Sequence, residues 1–471
     1  MKILIYQKYL PIAYLIFLIF IFFNRIYLEE SNISIFLSVL FIALCFFSFQ
    51  LFLIDNEKKN YLPFLPLIIF YFLITYGFSF ELIEGFIQNK SEKAINKTFI
   101  ILNLGIIFLN LGYFTNIKIF KMNRSGFKYL EVKKYNQIVL IAMFFLSINF
   151  LNKFFNFIPP NLNQIIFPLI FIGCSILFYS IIKIKDFKNY LYFIVILLTV
   201  FLEILSTSYV FPATLVTIYF VIYFNVKRKI PVVTILLFII FFFTLHLHKN
   251  DLRKNLIKIT NDHPFERSKV IFNLYSSKIN FEKDKDIILE DIYFESTFTE
   301  ESKRKELNYW RLAHSFSSLV ILIEKTPSEI DYLNGETYKI LYAKFIPRIL
   351  WPSKPNDDLA NKIGRKYKVL SKNDFTTSWN LPILNEAYIN YGFLGVTLIM
   401  FILGFLVRLF TNFFSVTNYN NAESHIGVYL CCSTFFWEPH LSLVYGGKYY
   451  PILFLYFTMA VLIFFLNRFI K

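Results

Sequence analysis

The sequence predicts an all-α fold: a polytopic helical membrane protein of about twelve transmembrane helices, with one large extracytoplasmic loop that carries short helices of its own. Three observations predict it. Of 471 residues, 56% are hydrophobic and 17% charged, whereas a soluble chain of this length needs domain surfaces rich in charge. Apolar runs of about 20 residues recur, the length a helix needs to cross a bilayer core. Lys and Arg gather in alternate connections, the asymmetry that orients a membrane protein.

Hydropathy places spans at 8–28, 33–54, 61–80, 98–120, 136–157, 164–185, 189–205, 208–226, 230–247, 391–413, 425–445 and 449–470. The first is too long for a secretory signal peptide, and Asn24-Arg25 follows its apolar run without a small-residue cleavage site. With the N-terminus inside, the inner segments hold 19 Lys and Arg and the short outer segments hold six. That ratio puts both termini in the cytoplasm and residues 248–390 outside. The chain then reads as nine spans in 1–247, a loop at 248–390 and three spans in 391–471.

The loop is too long for an ordinary connection, and loops of that length are functional or disordered. Residues 282–336 carry 13 acids and 7 bases, whereas 337–372 carry 2 acids and 9 bases. The acidic part suits solvent, and the basic part, interleaved with aromatics and prolines, suits packing near a membrane. The net charge of +16 sits mainly in the short connections, so it sets topology and does not point to nucleic acid. The abundance of Phe together with Ile, Asn, Lys and Tyr points to an AT-rich bacterial genome. Cys45, Cys174, Cys431 and Cys432 all fall in apolar runs, where they read as small core residues with no disulfide framework or metal spacing. No P-loop is present, which argues against a pump driven by ATP hydrolysis in this chain.

Several residues are candidates for chemistry. In a helix over 307–323, Trp310, Ala313, Leu319, Val320 and Ile323 suit a buried face, and Arg311, His314 and Ser318 lie on another. An Arg and a His one turn apart suit gripping a phosphate and moving a proton; a solvated helix face has the same pattern. Tyr338, Leu341, Tyr342 and Phe345 predict an amphipathic helix that Pro347 ends. In the proline-clamped run 347–355, Trp351 suits a membrane interface, with Arg348 and Lys354 at headgroup level. Glu386 and Asn390 share a face where the tenth span opens. Glu386 suits a general base toward a sugar hydroxyl, or a charge favoured by the helix dipole. Glu203, late in the seventh span, and Glu438 and His440, in the eleventh, are ionisable groups within spans, which are costly and usually functional.

One ordered set joins these elements. It runs from Arg311 through Thr326-Pro327, Gly335-Glu336-Thr337 and Ile346-Pro347-Arg348-Ile349-Leu350-Trp351-Pro352-Ser353-Lys354-Pro355 to Asn385-Glu386-Ala387-Tyr388-Ile389-Asn390-Tyr391-Gly392. This set resembles the O-antigen polymerase (Wzy) family, the oligosaccharide repeat unit polymerases. The motifs cover roughly residues 305–400, and the topology extends over the chain. One feature departs from that pattern: relatives often carry an Arg after a Ser/Thr-rich turn between two spans, and here Ser206-Thr207-Ser208 leads to Tyr209.

The resemblance implies a GT-C-like membrane glycosyltransferase of the bacterial inner membrane that needs neither metal nor other cofactor. Its substrates would be undecaprenyl-diphosphate-linked oligosaccharides, and a chain-length regulator would be its partner. One glycan is transferred to the non-reducing end of another, and undecaprenyl diphosphate leaves. On that basis Arg311, Arg348, Lys354 and Arg365 are candidates to hold the diphosphate, and Trp351, Tyr388 and Asn390 to line the glycan or lipid path. Glu386 is the first candidate base, ahead of Glu438, His440 and His314. Two rivals remain: an O-antigen ligase, which shares the architecture and leaving group, and a lipid-linked oligosaccharide flippase. The outer loop and the scarcity of charge within the spans count against the flippase.

Overall fold

A computed structural model of the protein describes residues 19, 32–56, 61–78, 90–115, 135–155, 158, 160–183, 188–205, 210–227, 229, 231, 234, 268–269, 300–344, 346, 351, 353–354, 358–414, 422–433, 456–465 and 468. Among these residues all regular structure is helical and no strand occurs. Helices overlap the second to eighth and the tenth to twelfth predicted spans; the first and ninth lie almost wholly outside the described residues. Among the described residues four helices are long and apolar enough to cross a membrane: Asn32–Asp55, Glu92–Phe114, Asn136–Phe155 and Ile383–Phe413. Leu394, Leu398 and Ile402 stay exposed along the last of these, as does the row Leu191, Ile194, Leu198 and Phe201 in 188–205. Apolar rows of that extent are what a lipid environment covers.

The chain folds as two compact units, each assembled from separated stretches of sequence. The first comprises Met1–Met122, Ile292–Phe413 and Trp437–Tyr449. Its elements are α1 (Asn32–Asp55), α2 (Phe64–Phe72), α3 (Glu92–Phe114), α8 (Glu300–Lys325), α9 (Leu341–Lys344), α10 (Leu359–Lys366) and α11 (Ile383–Phe413). The second comprises Asn123–Asp291, Phe414–Phe436 and Tyr450–Lys471. It contains α4 (Tyr135–Phe155), α5 (Pro160–Lys183), α6 (Lys188–Leu205), α7 (Val210–Lys227), α12 (Ala422–Ser433) and α13 (Tyr456–Phe465).

In the first unit α3 is the central helix, packed on α1, α8 and α11. It starts at Glu92, six residues before the predicted span. The Ser91 hydroxyl caps it by accepting the Ala94 amide at 3.3 Å, and a capped polar first turn is invisible to a reading of apolar runs. Asn103 and Asn110 pin α3 to α1, Asn103 Nδ2 donating to the Leu37 carbonyl at 3.0 Å and Asn110 Nδ2 to Ser48 Oγ at 2.6 Å. On its other side α3 approaches α11 through small residues. A Cβ on Gly112 would lie 2.0 Å from the Phe401 carbonyl oxygen, and one on Gly404 would lie 2.0 Å from that of Leu109. This is the close backbone approach that small residues give to helices within membranes.

The predicted span 61–80 is shorter in the structure. It consists of α2 followed by a single π turn, Leu73–Gly77. The π turn packs on α8, and such turns widen a helix at one point at the demand of what packs there.

Near the far end of α11, Arg408 pairs with Asp55 of α1. The guanidinium lies 5.3 Å from the ring of Tyr61 and 5.1 Å from that of Tyr113. Both charges are about four-fifths buried, so removing one strands the other. Asp55→Ala and Arg408→Ala are each expected to lower stability by about 1–3 kcal/mol, with the double substitution costing clearly less than their sum. Thermal unfolding of the detergent-solubilised variants checks this; strict additivity would mean that the pair contributes nothing jointly.

In the second unit α5 packs on α4, α6, α7 and α12. Phe171 stands at its centre, its ring 4.7 Å from that of Phe211 and 5.5 Å from that of Tyr429. His425 Nδ1 and Ser175 Oγ share a buried hydrogen bond of 2.8 Å. Glu203, flagged by the sequence, is buried on α6, where Asn149 Nδ2 donates to it at 3.4 Å and the Lys153 ammonium stands 3.3 Å away. All four cysteines are buried and none forms a disulfide.

Candidate functional site

The site is built where α8 meets the start of α11. From Ala313 to Ile323 every residue of α8 except His314 is buried. Ser318, assigned by its spacing to the face of Arg311 and His314, therefore does not meet solvent. It faces Asn385 instead.

Asn385 is fully buried and fully employed. Its Nδ2 donates to the Ser315 carbonyl at 2.9 Å and to Ser318 Oγ at 2.8 Å, and its Oδ1 accepts from the Tyr76 hydroxyl at 2.8 Å. Tyr76 belongs to the π turn, and the preceding Tyr71 shares a 3.0 Å hydrogen bond with Ser315 Oγ. One asparagine side chain thus ties α8, α11 and the widened turn together. A buried amide is tolerated only with its hydrogen bonds made.

α11 is not continuous. Tyr391 (φ −141°, ψ 16°) and Gly392 (φ 60°, ψ −138°) leave helical geometry and separate a short piece, 383–390, from the long apolar part beyond. Gly392 lies in the left-handed region of φ, which a side chain disfavours, and a Cβ there would stand 2.8 Å from the Tyr332 hydroxyl. The short piece carries Glu386 and Asn390, both fully buried, as their one-turn spacing predicts for a shared face. Asn390 is spent on its surroundings. Its Nδ2 donates to Thr337 Oγ1 and to the Glu386 carbonyl, both at 2.8 Å, and its Oδ1 accepts the Gly335 amide at 2.9 Å. The carbonyls of Ile389 and Asn390 accept the amides of Leu333 and Asn334 at 2.9 and 3.1 Å.

The segment 333–340 therefore lies over the Glu386 face. Its Tyr338 phenol is held well above the ordinary range, first by burial and then by the neighbouring Glu386 carboxylate. A continuous amphipathic helix was expected over 338–345; a 3₁₀ turn (Glu336–Ile340) leads into the single turn of α9 instead. Gly335, at φ 83°, sets the sharp entry, and the bond from Asn390 holds Thr337 within the tight turn.

The other predicted residues divide by location. His314 is partly buried; its Nε2 donates to the Asn380 carbonyl at 2.8 Å, and its ring stands edge-on to Trp379 at 6.2 Å. The chain before Asn380 is ordered by Asp374, whose carboxyl is held down at about 2 by hydrogen bonds from Thr377 and then Thr376. Arg365 lies on α10, its Nε donating to Asn361 Oδ1 at 2.9 Å and its guanidinium 4.3 Å from the ring of Phe375. Lys354 closes its own loop, donating to the Ile346 carbonyl at 2.8 Å. Trp351 donates from Nε1 to Ser353 Oγ at 3.0 Å and lies 6.5 Å from the ring of Tyr342. Tyr388 is fully buried; its hydroxyl donates to the Thr326 carbonyl at 3.1 Å, and Lys97 Nζ stands 5.5 Å from its ring centre. The side chain of Arg311, though its backbone belongs to α8, and the whole of Arg348, Glu438 and His440 lie outside the described residues.

Asn385, Tyr76 and Lys97 are the participants that sequence reasoning missed. The Asn-Glu pair at 385–386 offered a signal for the first, since adjacent polar residues at the start of an apolar run need partners. Among the described residues no group of three His, Cys, Asp or Glu is placed to hold a metal ion.

A family model described as a domain of unknown function (DUF8712) matches residues 66–470. No curated protein matches the chain, and no solved structure does.

Proposed function

We propose that the chain, which belongs to the DUF8712 family, is a membrane glycosyltransferase of the O-antigen polymerase type. On this reading it joins undecaprenyl-diphosphate-linked oligosaccharide repeats at the outer face of the bacterial inner membrane. The observation that carries it is Glu386: a fully buried carboxylate on a short helical piece that Gly392 sets apart from a membrane-length helix. Burying a carboxylate is costly, and an ionisable group buried beside a break in a helix long and apolar enough to cross a membrane is a candidate for proton transfer.

In the proposed reaction Glu386 takes the proton of the acceptor hydroxyl. The hydroxyl oxygen bonds to the anomeric carbon of the donor glycan, the bond from that carbon to the phosphate oxygen breaks, and undecaprenyl diphosphate departs with the electron pair. Arg311 and Arg348 are the bases assigned to the leaving phosphates, where bidentate hydrogen bonds strengthen as charge accumulates. Lys354, tied to the Ile346 carbonyl, is assigned to shaping their loop.

Incubating the purified protein with a defined lipid-diphosphate repeat tests the activity. A ladder of lengthening glycans is expected, and release of diphosphate without a ladder would overturn the reading. The topology it needs is tested by an impermeant thiol reagent on cells carrying Lys285→Cys or Asn421→Cys. Labelling at 285 and not at 421 is expected; the reverse would place the site on the wrong side of the membrane.

A further inference from the structure

Three lysines stand near the start of α3, and the structure treats them differently. Lys90, just before the helix, is held by Glu324 at 2.8 Å. Lys93, one turn in, is exposed. Lys97, a further turn on, lies with its ammonium 5.5 Å from the ring centre of Tyr388 and 5.7 Å from that of Phe393. Those two rings bracket the break at Gly392, one on each side. Neither Lys93 nor Lys97 makes a hydrogen bond or ion pair with any described residue. The rings attract the Lys97 cation without using its three N–H donors.

Below Lys97 the surface is apolar. Lys97, Ile100, Ile107 and Leu111 share one face of α3, and these three apolar side chains are exposed, as are Phe393, Leu394 and Leu398 beyond the break in α11. A cation held on aromatic rings at the head of a long exposed apolar face has the chemistry of an anionic lipid site: phosphate at the ammonium, hydrocarbon along the face.

We infer that Lys97, on the Tyr388–Phe393 platform and assisted by Lys93, binds the phosphate of a lipid. On the polymerase reading that lipid is the prenyl diphosphate carrier. The identity of the lipid rests on that reading; the phosphate site does not. Glu386 and Tyr388 are two residues apart on a helical piece, so they point to nearly opposite sides of it. Lys97 therefore seats a lipid headgroup away from the Glu386 face, and we assign it to lipid capture and not to the reacting bonds.

The test is binding, with no turnover required. The protein is placed in phosphatidylcholine nanodiscs, and retention of three probes is measured by native mass spectrometry: undecaprenyl diphosphate, undecaprenol and phosphatidylglycerol. Undecaprenyl diphosphate is expected to bind well above undecaprenol. Lys97→Gln should weaken it by about tenfold or more, the loss of one charge-assisted contact, and Lys97→Arg should stay within a few-fold of the original. An unchanged melting temperature for both variants establishes that the fold survives. Equal binding of undecaprenyl diphosphate by wild type and Lys97→Gln would overturn the site. Lys97-dependent binding of phosphatidylglycerol as strong as that of the diphosphate would keep a lipid-phosphate site and overturn the carrier as its specific occupant. Absence of a glycan ladder alongside Lys97-dependent lipid binding would sink the polymerase reading and leave the phosphate site standing.

Discussion

Glu386→Gln is expected to reduce polymer formation by about 10²–10⁴-fold, the range for losing a general base, in membranes with matched protein levels. The substitution keeps the size and planar shape of the side chain. Asn385 and Asn390 make the contacts to Ser315, Ser318, Thr337 and Gly335, and the substitution leaves those side chains in place. Asn385→Leu is the contrasting control. It leaves the Tyr76 hydroxyl, the Ser318 hydroxyl and the Ser315 carbonyl to find other partners, so it should lower the amount of folded protein as well as activity. A normal ladder from Glu386→Gln would reduce the residue to a structural role and pass the assignment of base to Glu438 or His440.

The second large effect concerns the α3–α11 contact. Gly404→Ala puts a methyl 2.0 Å from the Leu109 carbonyl oxygen, and Gly112→Ala puts one 2.0 Å from that of Phe401. Both obstacles are backbone, so neither can swing aside; the helices must separate. In an unobstructed helix interior Ala would gain about 1 kcal/mol over Gly, yet overpacking of this kind typically costs about 1–3 kcal/mol and occasionally more. Each variant is expected to lose stability despite its better helix propensity. The double variant should lose less than the sum, because the first methyl already opens the gap that the second would need. Thermal unfolding in one detergent measures all three; a rise in the melting temperature for either single variant would refute the close approach.

The long helices were legible because their cause is local. A run such as 33–54 or 136–157 carries its own hydrophobic signal, and α1 and α4 match those runs within two residues. The shared face of Glu386 and Asn390 was legible for the same reason, since helical spacing alone dictates it. What stayed hidden depends on distant partners. Nothing within residues 73–77 announces a π turn; Tyr76 is committed there by Asn385, 309 positions away. The break in α11 leaves a trace in Tyr391-Gly392, where the predicted apolar span 391–413 begins. Its purpose appears only with Tyr332 packed against the glycine. Lys97 was counted among the outer charges that set topology, and one sequence gives no means of distinguishing it from Lys90, whose partner Glu324 lies on another helix.

The crossing of 333–335 with 389–390 also bears on how this region opens. The amides of Leu333, Asn334 and Gly335 end on the Ile389 carbonyl, the Asn390 carbonyl and the Asn390 side chain. A loop of this kind would ordinarily fray alone, exchanging its amide protons through small local fluctuations. Here the acceptors belong to a piece of helix clamped by α8, so the three amides are released only when that helix lifts. Their hydrogen exchange is expected to follow the amides of 386–390 and not those of Ser328 and Glu329 in the exposed turn after Thr326. Protection that vanished on the timescale of that turn would mean the strap opens alone. If the two exchange together, the lid over Glu386 and the floor beneath it form one cooperative unit, and access to the carboxylate is governed by the stability of α11 itself.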